Sequence, residues 1–142
     1  MPEKYNEGFE RNYNLKIDNQ VENIVIEASM LDYDHAVVIK IEINKKTKEI
    51  IKVQAKMPRV PHTPMCQKAL VSFEYIIGLK IEHGLKKKLQ ERIGKNKGCI
   101  HIYKLVWLAA DLAANYIKRD ATVEEQREFL KNTCVVYSEE KN

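Results

Sequence analysis

Val37-Val38-Ile39-Lys40-Ile41-Glu42-Ile43-Asn44-Lys45-Lys46-Thr47-Lys48-Glu49-Ile50-Ile51-Lys52-Val53-Gln54-Ala55-Lys56-Met57 is the stretch that decides the fold. Along an extended chain Val37, Ile39, Ile41 and Ile43 point one way while Lys40, Glu42 and Asn44 point the other. This period-two alternation places one face in a core and the other in water. After the polar turn Lys45-Lys46-Thr47-Lys48 the pattern resumes with Ile51, Val53, Ala55 and Met57, so the two runs read as a β-hairpin.

Upstream, Ile24, Ile26, Ala28 and Met30 form a similar strand, joined to the hairpin by Asp32-Tyr33-Asp34-His35, and Tyr13, Leu15 and Ile17 suggest a further strand at the edge. Sequential strands with short turns predict an antiparallel meander of three to four strands with one open face. Downstream, Arg59-Val60-Pro61-His62-Thr63-Pro64 ends the strand pattern, because proline lacks the amide a ladder needs. Thr63 and Pro64 read as the N-cap and first residue of a helix on which Cys66, Leu70, Phe73 and Ile77 recur before Gly78.

Leu85, Leu89 and Ile93 mark a second helix that ends near Gly94. A third begins at Gly98-Cys99 and runs to about Lys118. It is apolar on nearly all sides, which predicts a central and almost wholly buried helix. A short helix from Val123 to Leu130 and a polar tail from about residue 132 follow. The expected fold is α+β, an N-terminal β-meander packed on C-terminal helices in one domain over residues 1–142.

A chain of 142 residues buries roughly two thirds of its unfolded surface, so neither disulfides nor a metal are needed merely to fold. The formal charge of +4 is too small to imply a nucleic-acid partner. The basic run Lys86, Lys87, Lys88, Arg92, Lys95 and Lys97 has no interleaved aromatics and reads as a solvated face. The polar N-terminus shows no signal or transit pattern, which predicts a cytoplasmic protein. Leu105 to Leu112 is too short for a membrane helix. No glycine-rich phosphate loop, paired catalytic carboxylates or Ser-His-Asp order is evident, which argues against common hydrolases and nucleotide enzymes.

Three cysteines, an odd number, argue for free thiols, ligands or nucleophiles over a disulfide framework. Cys66 and Cys99 fall at helix starts, where free amides and the helix dipole lower a thiol's pKa. With His101 and the loop residue His62 they give a Cys, Cys and His set suited to zinc, iron or an iron-sulfur cluster. Residues two apart in a helix point about 200° away from each other, so Cys99 and His101 serve one ion only if Cys99 is the cap residue. Asp34 and His35 offer a further ligand or general-base pair, although a turn aspartate more often bonds its own backbone. The competing reading has Cys66 packing with Leu70 and Phe73 as a small hydrophobe. Cys134, near the polar C-terminus, reads as incidental, and Tyr103 and Trp107 read as core.

The run Gly98-Cys99-Ile100-His101-Ile102-Tyr103-Lys104-Leu105, with Asp32-Tyr33-Asp34-His35 and Arg59-Val60-Pro61 upstream, resembles a bacterial family of unknown function with a Gly-Cys-Thr-His-Leu signature. The match spans about Tyr13 to Lys118, and isoleucine stands at position 100 where the family has threonine. More distantly, the order of elements is similar to the NifU, IscU and SufE type of iron-sulfur proteins. That resemblance implies a scaffold in which Cys66 matches the middle cysteine and Cys99 or His101 the last. The place of the first falls near Asp32, Asp34 and His35, where no cysteine stands.

Three classes of function follow. The first is a metal-binding or sulfur-handling accessory protein with Cys66, Cys99, His101, Asp34 and His35 as ligands and zinc or an iron-sulfur cluster as cofactor. The second is a sulfur carrier or enzyme using one thiolate without metal. The third is a binding module for a protein partner, with no chemistry.

Overall fold

The computed structural model describes residues 8–62, 65–120, 122–132 and 134–138. Four strands, β1 (Arg11–Asn19), β2 (Asn23–Asp32), β3 (Ala36–Asn44) and β4 (Ile50–Arg59), form one antiparallel sheet in the order β1-β2-β3-β4. Helices α1 (Ala69–Phe73), α2 (Leu85–Ile93), α3 (Ile100–Ile117) and α4 (Val123–Leu130) follow, with single 3-10 turns between them. The expected α+β meander is therefore present.

The inward faces of β2 and β3, Ile24, Ile26, Ala28, Met30 and Val37, Ile39, Ile41, Ile43, are the buried centre of the core. Helix α3 lies across β1, β2 and β3, with α2 packed beside it and α1 on β4. The opposite face carries Lys16, Glu27, Lys40, Lys52 and Gln54, all exposed. Glu27 stands opposite Lys40, and Glu42 opposite Lys52. Opposite charges at facing positions suit a wetted surface.

Two expectations in β4 and α1 shift by a residue. Ile43 pairs with Ile50 while Glu42 pairs with Lys52, so Ile51 is the extra residue of a bulge. It is 41% exposed while Ile50 is buried, because a bulge reverses the in-out phase. The helix expected from Cys66 to Ile77 is a short α1 between the 3-10 turns Cys66–Lys68 and Glu74–Ile76. The tighter winding turns Ile76 inward and leaves Ile77 exposed. The expected Thr63-Pro64 cap lies outside the described residues.

Helix α3 is corrected more substantially. Ile102, Leu105, Val106, Ala109, Ala110 and Ala113 are buried, but Ile100 is 67% exposed and Lys104, Asp111 and Asn115 face water. The helix is one layer of a two-layer protein: the sheet lies beneath it and α2 beside it, and its far side stays open. Among the described residues no helix is long and apolar enough to cross a membrane.

Candidate functional site

The inward series of β2 does not end at Met30. Two residues on, Asp32 occupies the same face and is buried, the one charged residue so enclosed among those described. On β1 the inward series Ile17, Leu15, Tyr13 extends likewise to Arg11, and the register sets Arg11 opposite Asp32. Alternation that serves apolar packing over most of each strand thus delivers a carboxylate and a guanidinium to one end of the core.

Four donors converge on this carboxylate. Asp32 Oδ2 accepts from Arg11 Nε at 2.8 Å. Its Oδ1 accepts from the amides of Asp34 at 2.8 Å and His35 at 2.7 Å. The imidazole Nδ1 of His35 lies 2.9 Å from Oδ1. Arg59 closes the turn from β4, its Nη2 donating to the Asp32 carbonyl at 2.6 Å. Burial alone would raise the Asp32 pKa, but Arg11, His35 and the two amides outweigh it and hold the group at about 2. An ionised carboxylate only accepts, so Nδ1 of His35 carries a proton toward Asp32.

His101, the second residue of α3, meets that ring from the helical layer. The His35 and His101 centroids are 4.3 Å apart with an interplanar angle of 63°. Burial, then the neighbouring His35, Arg11 and Lys104, lower the pKa of His101, against an opposing pull from Asp32. Its imidazole is therefore neutral at pH 7. Lys104, one turn along the same helix, sits 5.1 Å above the Tyr13 ring.

The start of α3 is fixed by close approach. A Cβ on Gly98 would lie 2.7 Å from the Ile93 carbonyl oxygen and 3.3 Å from Ser72 Oγ, so only glycine lets the end of α2 and the start of α3 come this close. Cys99 follows as the N-cap of α3, with extended backbone and no side-chain cap bond. It meets the condition under which a thiol and an imidazole two residues on serve one ion.

Of the five expected ligands, the structure brings His35 and His101 together. Cys99 and Cys66 are half-buried at the margin of the core. The Cys66 amide donates to the His62 carbonyl at 2.8 Å, and Cys66 opens a 3-10 turn, Cys66–Lys68, that runs directly into α1. Asp34 lies in the turn with its amide on Asp32. Cys134 is exposed. Among the described residues no group of three or more His, Cys, Asp or Glu side chains is arranged to hold a metal ion.

Sequence reading placed Asp32 in the turn and, with Asp34 and His35, near the missing first ligand of the resembled scaffold; it gave Arg59 a place in the resembling run without a role at the site, and it overlooked Arg11. The signal was there: extending the alternation two residues past Met30 and Tyr13 lands on an aspartate and an arginine. Charges at core positions mark a site more reliably than cysteines at helix starts.

A two-layer α+β protein with a buried carboxylate behind two facing imidazoles is the class defined by this geometry. The chain belongs to the family described as Protein of unknown function (DUF2889), which matches residues 12–115 and so includes the whole site except Arg11. No curated protein and no solved structure matches it.

Proposed function

We propose that this protein is a small metal- or sulfur-handling accessory protein that binds a transition-metal ion through His35 and His101. The observation that carries the reading is the pair of rings 4.3 Å apart, one of them held by the buried Asp32. A carboxylate behind a ligating imidazole fixes its tautomer and raises its basicity, the usual outer arrangement of histidine metal sites. Two imidazoles that coordinate as neutral ligands suit zinc or iron and leave positions open for water or a sulfur-bearing substrate.

Cys99, at the cap, is the next ligand, and Cys66 and Asp34 belong to a larger set. The iron-sulfur scaffold resemblance supplies the expectation that the cargo is a cluster or its sulfur. The test is anaerobic purification with elemental analysis, then zinc titration by calorimetry. Wild type is expected to bind about one equivalent, with binding lost in His35→Gln and His101→Gln and weakened roughly tenfold or more in Cys99→Ser. A wild type that purifies without metal and takes up no zinc would remove the reading.

The missing third ligand among the described residues favours one alternative. In it the chain Asp32, His35, His101 moves a proton without any metal: Asp32 stabilises the imidazolium as His35 accepts, and His101 donates or receives. Metal-free wild type whose two histidines titrate as a coupled pair would select it.

A further inference from the structure

A cavity of about 400 Å³ opens on the far side of α3, between the loop before α2, the first turn of α2 and the end of α4. Its size falls within the range of small-molecule sites. Trp107, Ala110 and Ala114 form the α3 wall, and Ile81, Leu85 and Leu130 supply apolar surface around it. The two alanines create the depth, because any larger side chain at either position would reach into it. His101 and Asp111 are ten residues apart on one helix, about 15 Å along its axis, so this cavity is separate from the imidazole pair.

Two carboxylates stand among the polar side chains of the lining, beside His83, Lys86 and Asn115, and Glu82 also lies 3.6 Å from Lys88 Nζ. Glu82 and Asp111 both line the cavity. The cation among them, Lys86, is turned onto the indole, its Nζ 5.1 Å from the Trp107 ring centroid. An ammonium already rests on that aromatic face, within a wall that also carries carboxylates. Attraction between a cation and the electron-rich face of an indole strengthens as water is displaced, and Ile81, Leu85 and Leu130 supply apolar surface beside it.

We infer that the Trp107 cavity binds a small organic ammonium compound with an apolar body, its cation taking the place of the Lys86 ammonium over the indole and between the two carboxylates. The apolar body lies along Ala110 and Ala114 toward Leu130. Neutral analogues of the same shape keep the apolar contact and lose the ionic one; anionic analogues meet Asp111 and Glu82 and are repelled.

Trp107 is the only tryptophan of the chain, so its fluorescence reports on this cavity alone. Titrations of the full chain with phenethylamine, 2-phenylethanol and 3-phenylpropionate separate charge from shape. Saturable quenching by the amine is expected, at least about tenfold weaker with the alcohol and absent with the acid. Asp111→Asn, at an exposed position, should weaken the amine roughly tenfold. Ala114→Leu should abolish binding by filling the cavity, and Lys86→Ala should retain or tighten it. No saturable change with the amine, equal response to all three probes, or amine binding untouched by both Asp111→Asn and Ala114→Leu would overturn the inference.

Discussion

Asp32 is where local sequence and tertiary structure constrain each other most tightly. Its side chain is fully buried while that of Arg11 remains about one third exposed, so the pair gains from a low-dielectric setting on one side only. Replacing it with alanine leaves two turn amides and a guanidinium without their acceptor, and about 3 kcal/mol of stability should be lost. The same carboxylate makes stability depend on acid. Its folded pKa of about 2 lies below the ordinary 3.8, so its contribution, about 2 kcal/mol, is fully present above pH 4 and disappears as the pH falls toward 2. Urea unfolding of wild type, Asp32→Ala and Asp32→Asn at pH 7 and pH 2.5 checks both: the alanine variant should show the loss at pH 7, and the gap between wild type and Asp32→Asn should narrow sharply at the lower pH. An equal gap at both values would mean that the carboxylate is not held in ionised form.

At the scale of elements, the strands were legible because alternation is a short-range signal that survives single errors. Three of the four kept their expected phase throughout, and β4 lost it at Ile51, where a bulge that nothing in the local pattern announces inserts one residue; a second register shift lies opposite Ala36 and Val38. Helices were harder. Leu85, Leu89 and Ile93 gave α2 its buried stripe, but the 3-10 turns around α1 depend on what packs above them, and the exposed side of α3 depends on how many layers the protein has. The candidate site was half legible: His35 and His101 could be named, but their pairing depends on where α3 crosses the sheet. Gly98 sets that crossing. Gly98→Ala would force the Ile93 carbonyl aside, costing about 1–3 kcal/mol and moving the start of α3; thermal unfolding should show the loss, and zinc affinity should fall with it. Unchanged stability would mean that the junction between α2 and α3 gives way at no cost.

Across the whole molecule, chemistry is concentrated at one end of a two-layer stack. One sheet face packs against helices, the other carries facing opposite charges, and the buried charge sits where β1, β2, the β2–β3 turn and the start of α3 converge. None of these elements holds more than part of the site, so its integrity depends on the helical layer staying docked on the sheet. Protonation of His101 opposes that docking. A group whose folded pKa lies below the ordinary 6.5 costs nothing above that value and destabilises the fold progressively as pH falls beneath it.

Contact between the two imidazoles across the layers is the claim on which the site rests, and a histidine side-chain NMR titration of wild type and His35→Gln addresses it directly. His101 should titrate below 6.5 in wild type and move upward, though not fully to 6.5, once the neighbouring ring is gone, because burial, Arg11 and Lys104 still lower it. A His101 titration at the ordinary value in wild type, or one unmoved by His35→Gln, would contradict the account.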